Sequence, residues 1–297
     1  MKKFCFILNP KSGKHATNTS KLIPCVLRHF PQAEVQLTKA PGHATELAQQ
    51  AAARQTDAVV VIGGDGTLNE AARALIGTPT ALGVIPRGSG NGLARELGMP
   101  LSFEKSILRL RQATAVSCDI GRANGEPFLN LAGVGIEAEI AWQFMQQGKN
   151  GARGKWPYFR IGAHTVFSYV PPVWELETDR QKITLSPLTL VFANGRQYGS
   201  NFKIAPHASL TDGLLDMVAV QNAPKWKLAL AAPGFFTDNW RPFGLVQTSR
   251  IGQARLTSEK KFTYHLDGEP RNAVNTLEIK IEPRALHLLF PEKPHGK

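Results

Sequence analysis

The stretch Val59-Val60-Val61-Ile62-Gly63-Gly64-Asp65-Gly66-Thr67-Leu68-Asn69-Glu70 decides the fold of this 297-residue chain. A β-branched run ends abruptly in Gly-Gly-Asp-Gly-Thr, and a helical pattern starts at once. That order predicts a buried parallel strand, a tight turn and a helix N-terminus. Glycines at 63, 64 and 66 remove the side chains that would keep a phosphate from the backbone. The helix that follows aims free N–H groups and the positive end of its dipole at the same point. The backbone N–H groups of Gly64 to Thr67 are therefore assigned to phosphate. Asp65 is out of place in a pure phosphate cradle, because a carboxylate repels polyphosphate unless a cation lies between them. A nucleotide with Mg²⁺ resolves this, and sets Asp65 near the metal or the reacting hydroxyl. Asn69 and Glu70 fall in the helix's first turn, as site residues or as surface residues that compensate the dipole.

Outward from this turn, the first 120 residues alternate strand and helix. Strands are predicted at 3–8, 34–37, 58–62, 81–85 and 116–120, and helices at 20–29, 44–54, 67–76, 90–97 and 103–111. Such alternation gives a doubly wound parallel sheet, with ligands beyond the carboxyl ends of its strands. Two further polar turns fall at such ends: Asn9-Pro10-Lys11-Ser12-Gly13-Lys14, and Pro86-Arg87-Gly88-Ser89-Gly90-Asn91-Gly92. The first lacks the spacing of a Walker A loop. Its Asn9, Lys11 and Lys14 could reach a phosphate, or the turn could simply be solvated. In the second, Ser89 and Asn91 could bond phosphate or ribose, and Arg87 could neutralise charge. From Val173 short alternating runs dominate, with strands predicted at 173–178, 188–193, 214–220, 255–257, 262–266, 277–281 and 286–289, as in an antiparallel sandwich, interrupted by an amphipathic helix near 225–232. The expected division is a nucleotide-binding α/β domain over 1–122 and a β-sandwich domain over 123–283. The segment 284–297 is a candidate to rejoin the first domain.

Composition narrows the class. Hydrophobic residues make up 42% and charged residues 20%, ordinary values for a soluble globular protein. No apolar stretch is long enough to span a membrane. The apolar run after Met1 is too short for a signal peptide and reads as a first strand. Cys5, Cys25 and Cys118 have no paired or metal spacing, which suits reduced thiols in the cytoplasm. The net charge of +12 calls for an anionic partner. No helix-turn-helix, zinc or aromatic-basic RNA signature accompanies it, so nucleic acid is not the expected partner.

Four motifs then appear in order: Asn-Pro-x-Ser-Gly at 9–13, Gly-Gly-Asp-Gly-Thr-Leu-Asn-Glu at 63–70, Gly-Ser-Gly-Asn at 88–91 and Leu-Asp-Gly-Glu at 266–269. Together they resemble the diacylglycerol kinase catalytic-domain family, which includes soluble bacterial lipid kinases and sphingosine kinases. The resemblance runs nearly end to end. It implies a nucleotide-binding α/β domain and a β-sandwich domain with the active site between them. It also implies transfer of the ATP γ-phosphoryl to a lipid hydroxyl, either diacylglycerol-like or sphingoid-like. Carried over by motif, Gly63, Gly64, Asp65, Gly66, Thr67, Leu68 and Asn69 would hold the ATP phosphates, joined by Thr38 and Ser89. Asp267 would be the general base, supported by Glu269, with Asp65 its competitor as in sphingosine kinases. Asp212 and the carbonyls of Ser209 and Leu214 would hold a structural Mg²⁺. One departure leaves the lipid open: Gly92 stands where bacterial diacylglycerol kinases commonly carry Asp.

The resemblance implies a lipid partner at an anionic membrane surface. Trp142, Phe144, Met145, Trp156, Tyr158, Phe159 and Phe167 surround the basic stretch 149–160, and either dock on such a surface or are core. Asp119 and Glu139 are candidates for a metal network or a head-group contact, or are core-edge carboxylates paired with Arg. The expected protein is thus a cytoplasmic, peripherally membrane-associated, ATP- and Mg²⁺-dependent lipid kinase with no obligate protein partner. The rivals are an NAD kinase-like enzyme acting on a soluble acceptor and a non-catalytic basic nucleic-acid-binding protein.

Overall fold

Val59–Ile62, each fully buried, form the middle of strand β3 (Ala58–Gly63). In the computed structural model, residues 3–13, 19–149, 165, 168–199, 202–231, 234 and 244–291 are described. The chain forms two units, Met1–Asp119 with Pro283–Lys297, and Ile120–Glu282.

In the first unit, β1 (Phe4–Leu8), β2 (Glu34–Leu37), β3 and β4 (Ala81–Pro86) run parallel in the order β2-β1-β3-β4. The helices are α1 (Thr19–His29), α2 (His43–Ala53), α3 (Asp65–Leu75), α4 (Gly92–Glu96) and α5 (Phe103–Leu110). The order reverses between β1 and β3, so their chains leave the sheet in opposite directions and open a crevice at its carboxyl edge. Helix α3 buries Leu68, Ala71, Ala72 and Leu75, the three- and four-residue spacing of one helix face. It begins at Asp65, two residues before the expected start, which places Asp65 in the first turn.

Strand β5 (Thr114–Ala123) leads into β6 (Glu126–Phe128) through Asn124 (φ 47) and Gly125 (φ 83). Positive φ at both central residues is the type I′ hairpin requirement. The last strand, β16 (Glu269–Phe290), sets Leu288 opposite Leu82 of β4. Within it Arg284 takes φ 54, and its N–H donates to Asp119 Oδ1 at 2.8 Å. Asp119, a sequence candidate for a metal network or a carboxylate paired with Arg, accepts this hydrogen bond from the Arg284 backbone.

The second unit is antiparallel. After β7 (Leu131–Gly135) and α6 (Ile136–Lys149) come β8 (Trp174–Thr178), β9 (Lys182–Leu185), β10 (Thr189–Ala193), β11 (Gln197–Gly199) and β12 (Phe202–Lys203). Then follow β13 (Leu215–Val220), α7 (Lys225–Ala231), β14 (Val246–Ile251) and β15 (Gln253–Leu266). The main path is β14-β13-β10-β7-β15-β16. The runs at 255–257 and 262–266, read as separate strands, are one strand. Its first half pairs with β8 and its end with β7, and the register shifts between Thr257 and Phe262. A bulge lets one strand change direction and serve two neighbours.

Period-2 alternation divides the core. Leu190, Phe192, Leu215 and Met217 join Trp174 in one cluster, and Val191, Ala193, Val218 and Val220 form another with Ile204. Both faces of β10 and β13 are therefore covered. Each fully buried side chain of this size contributes about 1.5–3 kcal/mol relative to exposure. Among the described residues no helix is long and apolar enough to cross a membrane.

Candidate functional site

Each unit gathers part of the sequence-predicted site. In the first, the four strand ends meet through backbone bonds. Asn9 N–H donates to Ile62 C=O at 3.0 Å, Thr38 N–H to Leu8 C=O at 3.0 Å, and Arg87 N–H to Gly63 C=O at 2.7 Å. Asn9 spans the β1–β3 crevice, where its Nδ2 donates to Thr67 Oγ1 at 2.8 Å. Asn9, Thr38, Gly63, Gly64, Asp65, Gly66 and Thr67 are thus brought to one edge. Leu68 is buried, so its side chain serves the core. Asn69 is half-buried and Ser89 exposed. Lys14 lies outside the described residues. Glu70 has a bracing role: its carboxylate accepts Ala44 N–H at 3.2 Å and its carbonyl accepts Thr45 Oγ1 at 2.9 Å.

The two glycine turns pack backbone on backbone. A Cβ on Gly88 would lie 2.8 Å from Gly64 Cα, and one on Gly90 would lie 2.9 Å from Asp65 Oδ2. Glycine is needed here for approach, not for dihedral freedom. Asp65 fastens the turns together. Its Oδ2 accepts Asn91 N–H at 2.8 Å and its Oδ1 accepts Gly92 N–H at 2.7 Å. Asn91, at φ 52, turns its side chain onto Gly88, accepting from Gly88 N–H and donating to Gly88 C=O, both at 2.8 Å. Its amide therefore shapes the loop, contrary to the expectation that it reaches phosphate or ribose. At residue 92 a main-chain N–H suffices for the bond to Asp65, which any residue but proline supplies, including glycine.

In the second unit, Asp267 (φ 51) and Gly268 (φ 84) make the turn between β15 and β16. Asp-Gly is the sequence signal for such a turn. Asp267 Oδ2 accepts Leu129 N–H at 2.8 Å, and Oδ1 accepts Asn130 N–H at 2.8 Å and Leu131 N–H at 3.0 Å. Asp267 N–H returns a bond to Leu131 C=O at 2.9 Å. The carboxylate is thereby fixed in orientation. Glu269 does not share this cradle: its Oε2 lies 3.5 Å from both Nη1 and Nη2 of Arg271. Arg271 Nε also bonds Glu126 Oε2 at 2.9 Å.

His265 underlies the same turn. It is 1% exposed, and its Nδ1 accepts Gly268 N–H at 3.3 Å. Its Nε2 lies 3.9 Å from Glu137 Oε1, which Gly133 permits, since a Cβ there would meet both groups within 2.7 Å. Burial, with a smaller effect from Arg271, pushes the imidazole pKa down to about 4, so the ring is neutral near pH 7. No local signal marks this bracing, because a lone His outside any metal spacing reads as a structural or surface histidine. Glu139 accepts Gln143 Nε2 at 2.8 Å and Thr263 Oγ1 at 3.4 Å.

Among the described residues no three His, Cys, Asp or Glu gather as a metal site. The loop proposed from resemblance has a different donor set, one carboxylate with two carbonyls. Asp212 Oδ1 accepts Leu214 N–H at 3.2 Å, which folds the loop onto its carboxylate. Nearby Asp216 Oδ2 is buried without a partner, and desolvation raises its pKa. Arg250 lies 3.8 Å from Asp212 and 3.9 Å from Asp216. An oxygen-only loop beside an orphaned carboxylate oxygen fits a hard cation. Trp142 and Met145 are half-buried on α6. Trp156, Tyr158, Phe159, Phe167 and most of the basic stretch lie outside the described residues, as does the side chain of Phe144.

Comparison with known proteins follows the same division. The diacylglycerol kinase catalytic domain matches residues 3–123, and the YegS C-terminal NAD kinase beta sandwich-like domain matches residues 131–290. The chain is 31% identical to a probable lipid kinase YegS-like protein of Pseudomonas putida, over 87% of this chain and 85% of that one. It is 28% identical to a diacylglycerol kinase of Bacillus subtilis, over 99% of this chain and 98% of that one. The fold of a putative diacylglycerol kinase from Bacillus anthracis superposes with a TM-score of 0.80 at 22% identity, covering 99% of this chain and 97% of that one.

Proposed function

The chain belongs to the family that joins a diacylglycerol kinase catalytic domain to a YegS-type β-sandwich domain, and from that premise we propose an ATP-dependent kinase whose acceptor is a lipid hydroxyl. The observation that carries the nucleotide half is the pair of glycine turns locked by Asp65 at the carboxyl edge of the parallel sheet. A rigid, side-chain-free edge at a helix N-terminus suits a polyphosphate. Asn9, Thr38, Gly63 to Asn69 and Ser89 form the ATP site in this reading.

Phosphoryl transfer asks little covalent work of a protein; it needs a held γ-phosphate, a cation and a base oriented on the acceptor hydroxyl. Asp267 is the proposed base, and the three N–H donors of residues 129–131 hold it ready. Glu269 acts at one remove, by fixing Arg271 beside the turn. Mg²⁺ bound with ATP supplies charge neutralisation across the phosphates. Asp212 with the carbonyls of Ser209 and Leu214 is the proposed structural Mg²⁺ loop. A charge of +12 supports peripheral docking of a cytoplasmic enzyme on an anionic membrane.

The test is transfer of labelled γ-phosphate from ATP, with and without Mg²⁺, into a total lipid extract, with NAD⁺ offered in parallel. The expected result is a labelled, extractable lipid from the wild type that is lost in Asp267→Asn. Label on NAD⁺ and none on lipid would keep the nucleotide site and refute the acceptor class.

A further inference from the structure

Among the side-chain oxygens of the second unit that are buried without a hydrogen-bond partner, Asn130 Oδ1 and Gln197 Oε1 belong to the strand ends beside the Asp267 turn. Each residue is 6% exposed. An amide oxygen buried without a donor is costly, and native proteins keep few of them. Slack in the chain does not account for Asn130. Its N–H is bonded to Asp267 Oδ1, and its C=O accepts the N–H groups of Asn194 and Gly195, at 2.8 Å each. Asn194 Nδ2 also donates to Leu129 C=O at 2.8 Å, which closes the same strand ends side by side. The Asn130 backbone cannot move to find its side chain another partner without breaking these bonds. Gln197 opens β11, two residues after Gly195.

Both atoms are acceptors, so the missing groups are donors. An apolar occupant would leave them orphaned, and an anionic one would repel them. A neutral polyol or amine head supplies what they lack. One of the two belongs to the residue whose backbone cradles the proposed base. We propose that Asn130 and Gln197 select the acceptor by taking hydrogen bonds from donors beside the hydroxyl that is phosphorylated. The acceptor class is then a lipid whose head carries a second hydroxyl or amine, rather than a head with one hydroxyl alone. This rests on reading Asp267 as the base of a lipid kinase. A site built to bond a donor discriminates against the analogue that lacks it, because its buried acceptors are then left unpaired.

The experiment uses the full chain and two acceptors in mixed detergent micelles: a 1-monoacylglycerol, with two hydroxyls, and a 1,2-diacylglycerol, with one. The wild type is expected to favour the diol by about tenfold or more in kcat/KM, through KM. Asn130→Leu and Gln197→Leu each bring that ratio towards one. Neither lowers Tm, because no hydrogen bond is removed. A short-chain monoacylglycerol, without ATP, raises Tm of the wild type and not of the double variant. If lipid is labelled but the ratio is near one in all three proteins, the inference is wrong and the two oxygens hold water. If no lipid is labelled, yet monoacylglycerol still raises Tm of the wild type alone, the binding inference stands and the kinase reading falls.

Discussion

Removing the Asp65 carboxylate separates a latch from a chemical group. In Asp65→Ala the N–H groups of Asn91 and Gly92 lose acceptors at 2.8 and 2.7 Å. A hydrogen bond to a charged group is worth about 1.5–3 kcal/mol, so the pair amounts to about 3–6 kcal/mol in full burial. Asp65 is only half-buried, and water will take over part of the bonding, which leaves about 2–4 kcal/mol. In a unit of this size that lowers Tm by roughly 5–15 °C. Freed from Asp65, the Gly88–Gly92 turn no longer fixes the Gly63–Gly66 turn, and nucleotide affinity falls with it. The assays are equilibrium urea unfolding and displacement of a fluorescent ATP analogue. Asp65→Asn keeps one acceptor oxygen and should lose about half as much in both. An unchanged unfolding midpoint and unchanged ATP affinity, together with a kcat reduced a thousandfold, would refute the latch and make Asp65 the reacting carboxylate.

Other expectations follow from the same geometry. Gly88→Ala sets a methyl 2.8 Å from Gly64 Cα, where backbone cannot give way. It should cost about 1–3 kcal/mol and most ATP binding, whereas Gly42→Ala, with nothing within 4 Å, should leave ATP binding intact and cost only the roughly 1–2 kcal/mol of backbone strain at φ 85. His265, held neutral by burial with its pKa near 4, should make stability fall as pH drops from about 6.5 to 4, since only the unfolded chain takes up the proton. The slope is about 1 kcal/mol per pH unit, and Tm of His265→Gln measured across that range should lack it. Burial raises the Cys5 and Cys118 thiols to about 11 and 12. A thiol reagent at pH 8 should therefore label Cys25 alone in the native protein and all three cysteines in urea, as counted by mass spectrometry.

Much of the first unit was legible because its signals are local. Strand β3 lies within one residue of its expected bounds, since a β-branched run followed by glycines has one cheap conformation. The Asn124-Gly125 turn is legible too, because Asn-Gly favours positive φ at both central residues. The second unit was less so. Strands β15 and β16, at 14 and 22 residues, were each broken into two, because their charged and polar middles read as loops. Pairing with neighbours on both sides keeps such segments extended, and no window of sequence contains those neighbours.

The sequence by itself determined the strand–turn–helix edge, the change from α/β to antiparallel pattern and the identity of the motif carboxylates. These depend on backbone freedom and on periodicity over a dozen residues. Tertiary structure alone decided what the carboxylates do. Asp65 meets its donors 26 and 27 residues away, and Asp267 meets Asn130 across 137. Chain composition sets no such distance; the order of strands in the sheet does. Burial, too, is a property of the fold. Only when Asn130 and Gln197 are enclosed do their unpaired oxygens become a cost, and so a sign of what they bind.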